Sequence, residues 1–387
     1  MIIILYILDW LCYILLFINV LYLLVYSLAS WRSRPRIAFP VKENKRFAVF
    51  IAAYKEDAVI LDTVKACVSQ TYPGDKYEVV VISDKMKPET NELLSQYPIT
   101  LLTVNFENST NTKSLRTALA YLDKAAYDVA LVIDADNIIA PDYLANVNGA
   151  FANPEVQVVQ THRIAKNIDT DMAYLDAISE EINNSIFRLG HINLGRSAAL
   201  IGSGMAFDYD LFYSAMMSNE SVGGFDRVIE MKLLYKRVFF HYLPDVYVKD
   251  EKIKNLNGFY QQRLRWLSAQ YYSIGEFIHH LVPAIRDRNW DFCDKLYQQI
   301  SISRLLLIGF IFVIALFLSC VAPALSHKWW VLFMVLVIAL IMAVPRCFWR
   351  RRTLKVLLMT PYLFLLMVAD LFRLKKASKK FIHTSHG

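Results

Sequence analysis

The chain is 387 residues long, 56% hydrophobic and 20% charged, and its 42 basic and 35 acidic residues give a net charge of +7. The apolar share exceeds the roughly 45–50% usual for soluble proteins and gathers at both ends, which excludes an ordinary soluble enzyme and a disordered chain. Five cysteines, odd in number and without a C-x-x-C pair, exclude a disulfide scaffold, and the eight histidines show no paired spacing for zinc.

In chain order, Ile2 to Ala29 is almost wholly apolar and predicts a membrane-spanning helix that is not cleaved. The stretch 31–46 that follows carries +5, and 346–380 carries +9, which leaves −7 for the rest. Basic charge that hugs apolar blocks marks cytoplasmic membrane flanks and gives no nucleic-acid footprint. Leu305–Leu325 and Trp329–Val344 predict two further spans joined by a short turn at Ser326-His327-Lys328. Leu354–Leu371, interrupted by Pro361, reads as an interfacial or re-entrant segment.

Between the apolar ends the pattern changes. Strand candidates are Phe47–Ala53, Glu78–Ser83, Ala130–Asp134 and Val156–Gln160, and helix candidates are Ala58–Gln70, Thr112–Asp123 and Met172–Phe187. Such alternation predicts an α/β domain with a mostly parallel sheet and a ligand site outside the carboxyl ends of its strands. The expected division is a spanning helix over 1–31, a cytoplasmic domain over 32–254, interfacial helices over 255–300, and further membrane or interfacial helices with a basic tail over 301–387.

Polar residues cluster at those strand ends. Tyr54 and Glu56 follow the first strand and suit a base and ribose, although a strand leading into a capped helix reads the same way. Asp84 ends the second strand, where a carboxylate can accept from a base N–H or ribose hydroxyl, or sit in a turn. Lys113 opens a helix, placed for a diphosphate or for solvent. Asp134 and Asp136 leave the end of a buried strand on one side, and hard oxygen ligands there suit Mg²⁺ or Mn²⁺. Gly204 lies in Gly202-Ser203-Gly204, a backbone that admits close approach or a tight turn. Asp226, with Glu230 one helical turn on, offers a general base or a helix cap. In Gln262-Arg263-Leu264-Arg265-Trp266 the arginines can grip phosphates and the tryptophan can stack on a sugar, and the same stretch suits an amphipathic surface helix.

Taken together these stations resemble the membrane-embedded family 2 glycosyltransferases, the group of cellulose, chitin and hyaluronan synthases. The resemblance covers about Phe47 to Trp266, and Gln262, Arg265 and Trp266 form its Q-x-x-R-W signature. It implies a GT-A fold inserted between N-terminal and C-terminal transmembrane helices, an inverting mechanism, and a nucleotide-sugar donor, a UDP-sugar. The implied roles follow residue by residue. Tyr54, Glu56, Asp84, Lys113, Asp134, Gln262, Arg263 and Arg265 bind the donor; Trp266 and Gly204 meet the acceptor; Asp136 and Asp134 hold the metal. Asp226 is the base, with Glu230 as the alternative, because Gly224-Phe225-Asp226 departs from the family's T-E-D motif. The spacing to Tyr242-Leu243-Pro244-Asp245 supports Asp226. The expected acceptor is a growing polysaccharide, with a polyprenyl-phosphate or glycolipid as the alternative. So narrow a helical bundle implies a homodimer or an export partner if a polymer crosses, and the catalytic domain is placed on the cytoplasmic face of an inner or plasma membrane.

Overall fold

The structure, a computed structural model, describes residues 2–32 and 43–371. Arg34, Arg36 and the basic residues from Arg373 to Lys380, on which part of the charge argument rests, lie outside them. In chain order the elements are α1 (Ile2–Ser30), β1 (Phe47–Tyr54), α2 (Ile60–Val68), β2 (Tyr77–Asp84), α3 (Pro88–Leu94), β3 (Thr100–Val104), α4 (Asn111–Tyr121), β4 (Val129–Asp134), β5 (Ile138–Ile139), α5 (Tyr143–Phe151), β6 (Val158–Ala165) and α6 (Asp171–Asn183). There follow α7 (His191–Asn193), β7 (Met205–Asp208), α8 (Tyr209–Met217), α9 (Phe225–Tyr235), β8 (Phe240–Asp250), α10 (Leu256–Phe277), α11 (Leu281–Arg286), α12 (Trp290–Ile300), α13 (Arg304–Val321), α14 (Pro323–Ala343), α15 (Arg351–Leu357) and α16 (Thr360–Leu371). They form two compact units.

One unit holds an eight-stranded sheet in the order β3-β2-β1-β4-β7-β6-β8-β5. From β3 to β4 every pairing is parallel. Beyond β4 the expectation of a mostly parallel sheet is corrected: β7 runs antiparallel to both β4 and β6, and β5 runs antiparallel to β8. The sheet is mixed because β7 enters it after the α6–α7 excursion rather than by a strand-helix-strand crossover. β1, β2 and β4 are nearly continuous apolar runs because both faces are covered. Alternate residues go to opposite cores. Ala48, Phe50, Val80, Ile82, Ala130 and Val132 pack with α4, α8, α9 and α12. Phe47, Val49, Ile51, Val79, Val81, Leu131 and Ile133 pack with α2 and α5. Registers Tyr54↔Asp84 and Ala52↔Asp134 bring the carboxyl ends of these strands to one edge.

The other unit gathers α1, Ile178–Gly195 and the chain from Ile300 onward. Its Ile186 is wholly buried with Leu16, Val20 and Leu23 of α1 and Leu307, Ile311, Leu332 and Leu336 of α13 and α14. α10, α11 and α12 up to Gln299 belong to the sheet unit. Phe277, near the end of α10, is buried in the sheet's core.

Among the described residues four helices are long and apolar enough to cross a membrane: Tyr6–Ser30, Arg304–Val321, Pro323–Ala343 and Arg351–Ala369. Two details differ from the sequence reading. Ser326-His327-Lys328 is helical; the break falls at Ala322, whose φ of −148° and ψ of 72° suit a residue before proline. The fourth segment has spanning length, with its helix interrupted at Leu358 and Met359, where Pro361 removes a backbone donor.

Candidate active site

The edge formed by β1, β2 and β4 places Tyr54, Glu56, Asp84 and Asp134 side by side. The half-buried Tyr54 ring lies between the ammonium groups of Lys55 and Lys85, 5.4 and 5.8 Å from its centroid. Asp84 is 1% exposed; its Oδ1 accepts the Phe106 N–H at 3.4 Å, while its Oδ2 is buried without a hydrogen bond among the described residues. A buried carboxylate oxygen left over in this way is an acceptor awaiting a donor. Lys113, on the first turn of α4 capped by Thr110, is exposed and donates to the Asn108 carbonyl at 2.7 Å.

The two aspartates after β4 differ in their surroundings. The buried Asp136 is fixed: Oδ1 accepts Asn137 Nδ2 at 2.9 Å and Oδ2 accepts the Glu251 N–H at 3.3 Å. Asn137 Nδ2 also reaches Asp250 Oδ1 at 3.2 Å. Asp250, at the end of β8, pairs with Lys252 at 2.7 Å and Arg163 at 3.8 Å. Burial and then the charge of Asp136 push the Asp134 carboxyl up to about 7; Asp250 and Asp226 add to this and Arg163 opposes it.

Opposite these strand ends runs the loop from Leu200 to Gly204. Ser203 Oγ accepts the Asp134 N–H at 3.0 Å and donates to Asn137. Gly204 does not present an open surface. It is buried at φ +63°, and a Cβ there would lie 2.4 Å from Thr161 Oγ1, so its freedom serves packing. Gly202, two residues earlier, faces Asp226: the carboxylate Oδ2 lies 3.7 Å from where a Gly202 Cβ would stand.

Asp226 is half-buried on the first turn of α9, after Gly224 in the left-handed region. A Cβ on Gly224 would fall 2.6 Å from that of Ala269, so a glycine here lets α10 pass close by. Phe225 packs into the core, and Glu230 is buried with its carboxylate accepting the Leu200 N–H at 2.9 Å. On α10, burial lowers the Arg265 guanidinium below its ordinary value, while the charges of Asp134, Asp226 and Glu56 raise it. One cation therefore sits in the field of carboxylates from β4, α9 and the β1 loop. Arg263 is engaged elsewhere: it pairs with Asp176 at 3.2 Å and stacks on the half-buried Trp266, 4.5 Å to the centroid. Gln262 Oε1 is buried without a hydrogen bond among the described residues.

Sequence reasoning missed Asp250, Asp176 and the supporting Ser203 and Gln160. Asp250 ends a strand just as Asp84 and Asp134 do, and that signal was available. Among the described residues no group of three His, Cys, Asp or Glu side chains is arranged to hold a metal ion.

Residues 44–269 match the family described as "Glycosyltransferase like family 2". The chain is 26% identical over 238 residues to a beta-monoglucosyldiacylglycerol synthase of Synechocystis sp., covering 58% of this chain and 47% of that one. It is 23% identical over 274 residues to the probable glycosyltransferase YdaM of Bacillus subtilis, covering 66% and 63%. The chain thus spans about half the length of the first relative and under two thirds of the second. Among solved structures it resembles the mannosyltransferase PcManGT from Pyrobaculum calidifontis, in complex with GDP-Man and Mn²⁺. The TM-score is 0.52 at 19% identity, over 85% of this chain and 97% of that one, and the likeness is one of fold, α/β of the GT-A type. With more than half its length inside the family match, the protein belongs to the family 2 glycosyltransferases.

Proposed function

We propose that this protein is an inverting, metal-dependent membrane glycosyltransferase that moves a sugar from a UDP-sugar to a lipid-borne acceptor. The observation that carries the reading is the line of carboxylates at the strand ends: Asp84 with an oxygen that has no hydrogen bond among the described residues, and Asp134 tied to the Ser203 loop that Asp226 faces at Gly202. In this reading Tyr54, Glu56 and the free oxygen of Asp84 hold the nucleoside. Arg265, aided by Gln262 and Lys113, grips the diphosphate. Asp226 takes the proton from the acceptor hydroxyl, which attacks the anomeric carbon opposite the leaving group, and Trp266 and the Gly202 turn orient that acceptor.

The residues present fit a divalent cation. Asp134 and Asp136 offer hard oxygen donors, and positive charge there would offset the burial and the Asp136 charge that raise Asp134. Mg²⁺ or Mn²⁺ held there would neutralise the departing diphosphate. With two protein carboxylates the site stays open to the donor's own oxygens.

The acceptor assignment rests on two supports: the named product of the Synechocystis relative is a glycolipid, and four helices here have membrane-spanning composition. The Q-x-x-R-W signature on α10 favours the second reading, a growing polysaccharide made by the protein as a homodimer or with an export partner. In either reading catalysis is proposed on the cytoplasmic face of an inner or plasma membrane, which the basic flank after α1 supports. The test is nucleoside diphosphate release by the protein in lipid nanodiscs, across a panel of nucleotide sugars with Mn²⁺, Mg²⁺ or EDTA, followed by sizing of the product. Metal-dependent release with one sugar added to an extractable lipid supports the proposal. Products that lengthen with time move the acceptor to a polymer. Release that ignores EDTA removes the metal from the account.

A further inference from the structure

Glu230 sits one turn after Asp226 on the same helix, yet its surroundings are of another kind. The residue is 5% exposed, and its Oε1 accepts the backbone N–H of Leu200 at 2.9 Å. Leu200, itself 7% exposed, opens the loop that crosses the site. The next residue, Ile201, donates its N–H to Gln160 Oε1 at 3.1 Å. Gly202 comes next, facing Asp226, and then Ser203, tied to Asp134 and Asn137. The loop is therefore fastened at three points, and Glu230 is the fastening that comes from the helix bearing Asp226.

We infer that Glu230 is a positioning residue that holds the 200–204 loop at Leu200 and so fixes the wall of the acceptor site facing Asp226. This rests on the reading of Asp226 as the base. Two further observations support it. Phe225, between the glycine turn and Asp226, is buried in the core and gives the site no polar support. Burial raises the Glu230 pKa, and the charge of Lys295, wholly buried on α12, together with the Leu200 N–H favours the carboxylate against it. A carboxylate so enclosed, with a hydrogen bond already made to the backbone, is built to hold a loop rather than to meet an acceptor from solvent.

The experiment compares wild type, Glu230→Met, Glu230→Gln and Asp226→Asn as full-length protein in nanodiscs. It reads hydrogen exchange over the 198–206 peptide, kcat, donor KM and the acid limb of the pH profile. Glu230→Met, which strands the Leu200 N–H, is expected to speed exchange of that peptide and to lower kcat by roughly ten- to a hundredfold with donor KM little changed. Glu230→Gln keeps an acceptor oxygen in place and is expected to restore the protection and most of kcat, with the acid limb where wild type has it. Unchanged exchange in Glu230→Met would overturn the inference. So would a Glu230→Gln protein as inactive as Asp226→Asn, because Glu230 would then be handling the proton. The exchange result decides the loop's fastening even if no nucleotide sugar is turned over, an outcome that would count against the proposed function instead.

Discussion

Two halves of the sheet build the site in different ways. From β3 to β4 the strands are parallel, and each contributes by stopping: Tyr54, Asp84 and Asp134 stand at the ends of β1, β2 and β4. From β7 to β5 the strands are mixed, and the contributions come from what lies between them: Gly202 and Ser203 before β7, Asp226 on α9 and Arg265 on α10. The first half holds buried oxygens in fixed registers and suits recognition of a donor. The second holds a half-buried carboxylate, a turn and an arginine on separately packed elements; under the proposed function the carboxylate and the turn serve the acceptor and the arginine reaches across to the donor's diphosphate. A site built this way can keep its donor pocket while its acceptor wall varies.

Arg265 is where the halves meet, and its loss is expected to have the largest effect. Arg265→Met removes a buried positive charge that lies in the field of Asp134, Asp226 and Glu56. Removing one such charge-stabilising donor lowers turnover by roughly 10²–10³ in comparable sites. Nucleoside diphosphate release measures this, and a fall below tenfold would detach α10 from the donor half.

Next in size is a packing effect confined to the second half. Gly204→Ala forces a left-handed backbone on alanine and drives Cβ into Thr161 Oγ1. The expected cost is about 2–4 kcal/mol in denaturant midpoint analysis. Gly74→Ala, where nothing lies within 4 Å, is the control, with an expected change within about 0.5 kcal/mol. Equal costs would mean that the 200–204 loop is looser than its contacts imply.

A pH effect belongs to the first half. The Asp134 carboxyl is raised in the folded protein from 3.8 to about 7, so the folded state holds the proton more tightly than the unfolded one. Its contribution to stability is present below the unfolded value and is lost as pH rises through about 7. Metal-free protein should therefore lose melting temperature between pH 5 and pH 8, and added Mn²⁺ should raise it more at pH 8 than at pH 5. A metal shift that is the same at both pH values would remove Asp134 from the metal site. The smallest expected effect is that of Lys113→Ala. Exposed and satisfied by the Asn108 carbonyl, this lysine should change donor KM by no more than about threefold.

The same division explains what could be read from the sequence. The first half was legible because its signal is local. A β-branched run ending in Asp84 or Asp134 announces a buried strand and its exit together, and β1, β2 and β4 fall within a residue or so of their expected bounds. The second half depends on contacts between residues far apart in sequence. β7 is four residues long and stands in the sheet only by pairing with β4 and β6. Gly204 is enclosed by Thr161, some forty positions away, and Gly202 faces Asp226, more than twenty positions on. Asp250 ends a strand as the others do, but its link to Asp136 through Asn137 spans the whole domain. The helical run predicted to Phe187 changes at Asn184 into a wider π-type turn, where the chain passes into the other unit's core.

The central claim is that the parallel half binds the donor while the mixed half carries the chemistry. Calorimetric titration of the UDP-sugar identified by the release assay, with Mn²⁺, into wild type, Asp136→Asn and Asp226→Asn tests it most directly when paired with turnover. The account predicts that Asp226→Asn binds the donor as tightly as wild type and turns over roughly 10²–10⁴ times more slowly, whereas Asp136→Asn loses metal-dependent binding itself. Donor binding lost in Asp226→Asn, or kept in full with Mn²⁺ by Asp136→Asn, would contradict it.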